Sequence, residues 1–276
     1  MLIAGRPVAG IGLGTAQFAF REGTTADSVA TVRAALDVGV TLIDTALAYT
    51  RPGIESYAEQ VVAAALRGVT RDRPLVATKG GHWRDGEHFP VDGRPAALRA
   101  HCEISLRTLR VDRIDLYQLH HVDPAVPLPD SVGALEELRL EGKIAAIGLS
   151  NVTAVQLDQA LAVAPVAAVQ NQLSYGCPGD LQTALACGEQ GIAYLAYKVF
   201  TGPAGRPPDA ALAVAARYGA SVQRVLLAWL RHQSPYIIPL VGASRSASIR
   251  DSAAPLELAD QDLTDLRAAQ SAATSS

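Results

Sequence analysis

Charge is scarce in this chain, and the sequence carries no feature that would tie it to a membrane, a metal or a nucleic acid. Charged residues fill 18% of its 276 positions against 49% apolar ones, a balance that suits a large buried core and excludes a disordered chain. Its 24 basic and 27 acidic residues give a net charge of −3. No Lys/Arg-dense stretch stands out, so neither nucleic acid nor an anionic membrane is an expected partner. Cys102, Cys177 and Cys187 are odd in number and lack C-x-x-C spacing. They read as reduced thiols used as small apolar filler, not as a disulfide framework or a metal site. No apolar run approaches the roughly 20 residues of a membrane span. Arg6 and Pro7 interrupt the N-terminal MLIAGRP before a signal-like apolar core builds up. A soluble cytoplasmic protein is expected, as a monomer or weak oligomer. There is no serine or cysteine nucleophile motif, no metal-ligand cluster and no low-complexity linker.

What the chain does have is rhythm. Short apolar runs recur about every thirty residues, at 8–12, 41–45, 75–79, 115–120, 145–150, 167–172, 192–197 and 236–241. They are continuous Val/Ile/Leu/Ala runs with little alternation, as expected for parallel strands buried on both faces. Longer helical patterns separate them. Residues 25–37 end before Gly39, residues 130–140 end before Gly142, and 221–232 (SVQRVLLAWLRH) set Val222, Val225, Leu226, Trp229 and Leu230 on one face. Eight such units predict one (β/α)8 TIM barrel over residues 1–276, with the N-terminal segment closing the barrel bottom. The gap from Tyr197 to Tyr236 leaves room for two helices after a loop at 201–208, and SAATSS at 271–276 reads as a frayed tail.

Four ionisable residues stand at or just past the ends of these runs: Asp44 and Tyr49 in TLIDTALAY, Lys79 in LVATK and His120 in DLYQLH. In a parallel barrel such positions converge on one rim. A free tyrosine titrates near 10, and a nearby ammonium lowers that value by favouring the phenolate. A carboxylate holds the lysine charged and in place, and an imidazole can hydrogen-bond and orient a carbonyl oxygen. Together they could protonate an oxygen on which negative charge develops. The electrophile must come from a substrate or a cofactor.

The chain resembles the aldo-keto reductases over nearly its whole length. The resemblance rests on GLGTAQF (12–18), GVTLIDTALAY (39–49), VATK (76–79), DLYQLHH (115–121), GKIAAIGLSN (142–151) and QNQLSY (170–175), in that order and spacing. It implies a barrel that carries NADPH, with NADH possible, over its C-terminal mouth. It also implies that Tyr49 is the general acid in carbonyl reduction, tuned by Lys79 and Asp44, while His120 orients a small-molecule carbonyl substrate. By the same resemblance Ser150, Asn151 and Gln172 would hold the nicotinamide carboxamide and Tyr197 would stack on its ring. Gly14, Thr15, Asp44, Gly202 and Gly242 are further expected cofactor contacts. Ser244 and Arg245, in VGASRSASIRDS after the eighth run, would take the 2′-phosphate. The chain departs from the family here: Gly242 and Ser248 stand where a lysine and a later arginine usually do this work. Lys198 likewise replaces the serine that usually follows the stacking tyrosine, and could reach the pyrophosphate.

Phe18, Trp83, His121 and Tyr175 are the expected substrate-pocket residues. The loops at 16–24, 80–93, 121–129 and 200–208 would set specificity. Little chain follows the last helical pattern to form a flap, so an open mouth is expected. Two other functions fit the same residues. One is a non-catalytic nicotinamide-binding regulatory protein, since the β subunits of potassium channels resemble the same family. The other is a barrel lyase using Lys79 or Lys198 as a Schiff-base amine.

Overall fold

Eight apolar runs of five or six residues are too short to bury themselves as helices, and parallel strands need a helical crossover between each pair. The computed structural model, which describes residues 1–8, 10–200 and 207–274, has this pattern. Its first half comprises β1 (Leu2–Ile3), β2 (Arg6–Pro7), β3 (Gly12–Gly14), α1 (Ala16–Phe20), α2 (Thr25–Asp37), β4 (Leu42–Asp44), α3 (Tyr57–Ala65), β5 (Leu75–Gly80), α4 (Pro95–Leu109), β6 (Leu116–Leu119) and α5 (Leu128–Leu140). The second half comprises β7 (Ile147–Ser150), α6 (Ala154–Leu161), β8 (Val166–Gln172), α7 (Leu181–Glu189), β9 (Ala193–Tyr197), α8 (Asp209–Tyr218), α9 (Val222–Gln233), β10 (Ile237–Gly242), α10 (Ser246–Ala253) and α11 (Asp260–Thr274). Strands β3 to β10 close into a parallel barrel, with β10 pairing back onto β3 at Leu240↔Gly12, Val241↔Leu13 and Gly242↔Gly14. The expected (β/α)8 fold is present.

The first strand is displaced from its expected position. The apolar run at 8–12 is not the barrel strand, which begins at Gly12. Residues 1–8 instead form the small β1–β2 hairpin, turned at Ala4 (φ 51°) and Gly5 (φ 73°). Two consecutive positive φ values are what a tight hairpin of matching twist requires. Ile3 and Val8, each 1% exposed, plug the barrel floor against Leu42, Leu75, Leu116 and Ile238. Burying each side chain contributes about 1.5–3 kcal/mol. Val8 is apolar because it is a stopper.

Inside the barrel the period of two organises everything above that floor. Leu42, Ala77, Leu116 and Ala168 belong to the apolar interior cluster, and the residue two further along each of those strands is polar: Asp44, Lys79, Gln118 and Gln170. All four polar residues are buried. A Cβ on Gly148 would lie 2.7 Å from Gln118 Cγ, so this position must be bare for the Gln118 side chain to cross the barrel.

The helices follow their caps. Helix α2 starts with a capping box between Thr24 and Asp27, and α6 with one between Thr153 and Gln156. Both expected helices after β9 are present, α8 and α9. Helix α11 continues to Thr274, so the tail expected from residue 271 is helical over its first part, and residues 275–276 lie outside the described ones. No described helix is long and apolar enough to cross a membrane. Cys102 and Cys187 are buried, and burial pushes their thiols up, to about 12 and about 11 respectively, as suits inert filler.

Candidate active site

The polar layer at the C-terminal end of the barrel holds a charge pair. Lys79 Nζ lies 2.8 Å from both Asp44 carboxylate oxygens and 2.8 Å from the Thr45 carbonyl oxygen, which fixes it from one side. Its remaining reach is toward the Tyr49 hydroxyl, at 3.3 Å. Burial opposes the lysine's charge, but the carboxylate and the phenol outweigh it, and Lys79 is held above its ordinary value. Asp44 also accepts from Gln170 Nε2 at 2.9 Å and from Gln118 Nε2 at 3.3 Å.

Tyr49 reaches the lysine from the loop between β4 and α3. Its carbonyl accepts from Ala58 N at 3.0 Å, and Thr50 Oγ1 accepts from Tyr57 N at 3.0 Å. Behind β5, the Thr78 hydroxyl donates to the buried Glu59 carboxylate at 2.5 Å, tying α3 to the strand that carries Lys79. Burial pushes the Tyr49 phenol up, Lys79 pulls it down and Asp44 pushes it up again, leaving it above its ordinary value. The lowered phenol expected from the lysine alone is therefore corrected: desolvation outweighs the ammonium, and the phenol keeps its proton.

The His120 ring stands edge-on to Tyr49, with centroids 5.6 Å apart. Burial first, then Lys79, His82 and His121, hold it well below the ordinary imidazole value and therefore neutral. Its Nδ1 is buried with no partner among the described residues. The four expected catalytic residues are thus brought together.

The cofactor candidates are placed as follows. Asn151 follows β7 with φ 59°, a left-handed conformation that Asn tolerates. Its Nδ2 donates to the His120 carbonyl at 3.0 Å and to Ser150 Oγ at 3.1 Å, and its Oδ1 accepts from Tyr197 Oη at 2.6 Å. Thr153 caps α6 by itself, so Ser150 and Asn151 are free of that duty. Gln172 pairs with Tyr197 at the strand ends. Gly14 ends β3 opposite Asp44, and the buried Thr15 hydroxyl donates to the Asp44 carbonyl at 3.0 Å. Lys198 is exposed, with Nζ 5.8 Å from the Tyr197 ring centroid. Gly242 is exposed beside Gln17, while Ser244 and Arg245 line a cavity of about 730 Å³ with Arg21, Glu22 and Asp27. Gly202 lies outside the described residues.

Of the four substrate-pocket candidates, only His121 joins the site, stacked on His120 at 5.0 Å. Phe18 is 2% exposed and belongs to the core between the barrel and its helices. Two positions on, Phe20 is 49% exposed and meets Tyr49 at 6.3 Å. A helix turns about 100° per residue, which puts these two side chains on different faces of α1. Trp83 packs against His101 of α4, whereas its neighbour His82 meets His120 at 4.9 Å. Tyr175 donates its hydroxyl to Leu266 O at 2.6 Å and packs on Trp229, which makes it an anchor for α11.

Sequence reasoning missed Gln118, Gln170, His82 and Phe20, which the structure sets beside the candidates. The two glutamines were findable, since each stands two residues before a candidate (His120 and Gln172) on the same barrel face.

Comparison with known proteins settles the family. Residues 10–271 match the model of the aldo/keto reductase family. The chain belongs to that family. It is an oxidoreductase of the aldo/keto reductase type, 30% identical to an uncharacterized oxidoreductase of Schizosaccharomyces pombe over 84% of this chain and 76% of that one. It is 42% identical to the aldo-keto reductase YhdN of Bacillus subtilis over a stretch covering 52% of this chain and 42% of that protein. Among solved structures, an aldo/keto reductase from Klebsiella pneumoniae in complex with NADP and acetate is similar at 31% identity and TM-score 0.80, over 95% and 91% of the two chains. A glycerol dehydrogenase from Gluconobacter oxydans is similar at 28% identity and TM-score 0.81, over 97% and 93%.

Proposed function

We propose that this aldo/keto reductase uses NADPH to reduce an aldehyde or ketone to the alcohol, with Tyr49 as the proton donor. The observation that carries this reading is the Asp44–Lys79–Tyr49 relay, at 2.8 and 3.3 Å, with the neutral His120 ring against the phenol. Tyr49 holds its proton at neutral pH, and when it gives that proton to the carbonyl oxygen, the Lys79 ammonium receives the phenolate charge. His120, being neutral, orients the carbonyl without competing as an acid. When bound, the dihydronicotinamide supplies the hydride.

The residues present fit such a cofactor. Asn151 has spent both amide hydrogens on the protein and keeps only spare acceptor capacity on Oδ1, matched to the –NH2 of a carboxamide. Helix α10 begins at Ser246 with no side-chain cap, so its first N–H groups are open to a phosphate, beside the Arg245 guanidinium. Arg250 is paired with Asp37 at 2.7 Å, which leaves Arg245 the better-placed cation for a 2′-phosphate.

A Schiff-base lyase at Lys79 is disfavoured because an ammonium held charged by Asp44 has no lone pair for attack. The test is a panel of carbonyl compounds followed by loss of NADPH absorbance, alongside borohydride trapping. Turnover without trapping supports the reductase. Trapping that is lost in Lys79→Ala, with no NADPH oxidation, overturns it.

A further inference from the structure

The two catalytic rings belong to a closed circuit of five. Tyr49 meets His120 at 5.6 Å, His120 meets His82 at 4.9 Å, His82 meets Phe89 at 5.8 Å, Phe89 meets Phe20 at 6.0 Å, and Phe20 returns to Tyr49 at 6.3 Å. Four of these contacts are edge-to-face. Phe20 ends α1, Phe89 comes from the loop between β5 and α4, and they remain 49% and 39% exposed. Two phenyl rings left in water beside a proton donor form an apolar surface that a ligand would cover.

The circuit is built to hold its shape. His82 Nδ1 lies 3.0 Å from the Pro90 carbonyl oxygen, and short antiparallel bridges join His82 to Val91 and Asp85 to His88. Arg84 donates to the Thr50 carbonyl at 3.1 Å and to Glu87 at 2.9 Å, and its guanidinium sits 5.4 Å from the Phe89 ring centroid. The loop carrying Phe89 is thereby fastened to the loop carrying Tyr49.

We infer that this aromatic circuit selects flat aromatic or heteroaromatic aldehydes, with Phe20 and Phe89 as specificity-determining residues. The inference rests on the reductase reading above. A carbonyl placed against Tyr49 and His120 has Phe20, Phe89 and His82 as its neighbouring rings. A planar substrate ring offers its positive edge and negative faces to them, whereas a saturated ring of the same size offers only apolar area.

The experiment compares benzaldehyde with cyclohexanecarbaldehyde as NADPH-dependent substrates of the whole protein, wild type and Phe20→Ala/Phe89→Ala. Taking the ratio of kcat/KM for the two aldehydes cancels their shared apolar burial, and comparing that ratio between wild type and variant cancels their intrinsic reactivities. The ratio should fall about tenfold in the double variant, at two aromatic contacts of ordinary strength, with the loss falling mainly in KM for benzaldehyde. Phe20→Tyr/Phe89→Tyr keeps both rings and should restore the ratio. A ratio that stays within about twofold of wild type in the alanine variant, or one that the tyrosines fail to restore, overturns the inference while leaving the reductase reading intact. Failure of the wild type to reduce either aldehyde overturns the inference, and failure on the whole carbonyl panel overturns the reductase reading as well.

Discussion

Asp44→Asn removes one charge from the centre of the site and almost no volume. In the wild type Lys79 is fully buried, and its counter-charge is the Asp44 carboxylate at 2.8 Å from both oxygens. The amide leaves the ammonium buried without compensation, and breaking such a pair costs about 3–5 kcal/mol. Lys79 can escape by losing its proton; moving from an ordinary value of about 10.4 to pH 7 costs about 4.6 kcal/mol, at about 1.4 per unit. The two routes agree, so a loss of about 4 kcal/mol at pH 7 is expected. The pH dependence carries the sharper signature. In the wild type Lys79 lies above its ordinary value, so its contribution is complete below about 10.4 and is lost only as pH rises through the folded value. In the variant the folded value drops below the unfolded one, the unfolded chain binds the extra proton, and stability climbs with pH up to about 10.4. Urea unfolding of both proteins at pH 7, 8 and 9 reads the difference. The gap should narrow toward pH 9 by up to about 1.4 kcal/mol per unit. A loss under about 1 kcal/mol at pH 7, or a gap that does not change with pH, would refute the buried-pair account.

Three further outcomes are expected. Arg245→Ala should weaken NADPH binding about 10- to 100-fold and NADH binding less, by titration calorimetry, since a charge-assisted bond to phosphate contributes about 1.5–3 kcal/mol; equal losses would move the 2′-phosphate site elsewhere. Tyr175→Phe should cost about 0.5–1.5 kcal/mol by removing the Tyr175 hydrogen bond to the Leu266 carbonyl, a group that α11 also pairs internally, visible as a lower Tm with carbonyl turnover intact; a fall in turnover at unchanged Tm would return Tyr175 to the substrate pocket. His82, His120 and His121 all sit below the ordinary imidazole value, His121 at about 4, with burial the first cause in each. The stability of neutral imidazoles is complete above their unfolded value near 6.5 and is lost as pH falls through that window, so Tm should drop from pH 6.5 toward 4, and His121→Gln should make the drop shallower. An unchanged slope in that variant contradicts the assignment.

The barrel was legible because its strands are buried on both faces, and burial writes itself as unbroken apolar runs. The one misplaced strand, at residues 8–12, is apolar for a different reason: Val8 and Ile3 stop the barrel floor. The meeting of the four candidates was legible because a carboxylate, a lysine and a histidine at successive strand ends have few other reasons to be there. The substrate pocket was not. Phe18 and Phe20 look alike in sequence, and only the turn of α1 decides which is core and which is rim. Trp83 and His82 are adjacent, and the local bridges of their loop decide which faces His120. Tyr175 serves a carbonyl 91 residues away, a pairing that no local pattern encodes.

The most direct test of the account is Tyr49→Phe. Phenylalanine keeps the ring that packs against His120 and Phe20 and deletes only the oxygen 3.3 Å from Lys79. NADPH affinity should survive, and carbonyl reduction should fall by about 10²–10⁴-fold, the contribution of a positioned general acid. A variant that binds NADPH and still reduces an aldehyde at near wild-type rate would contradict Tyr49 as the proton donor.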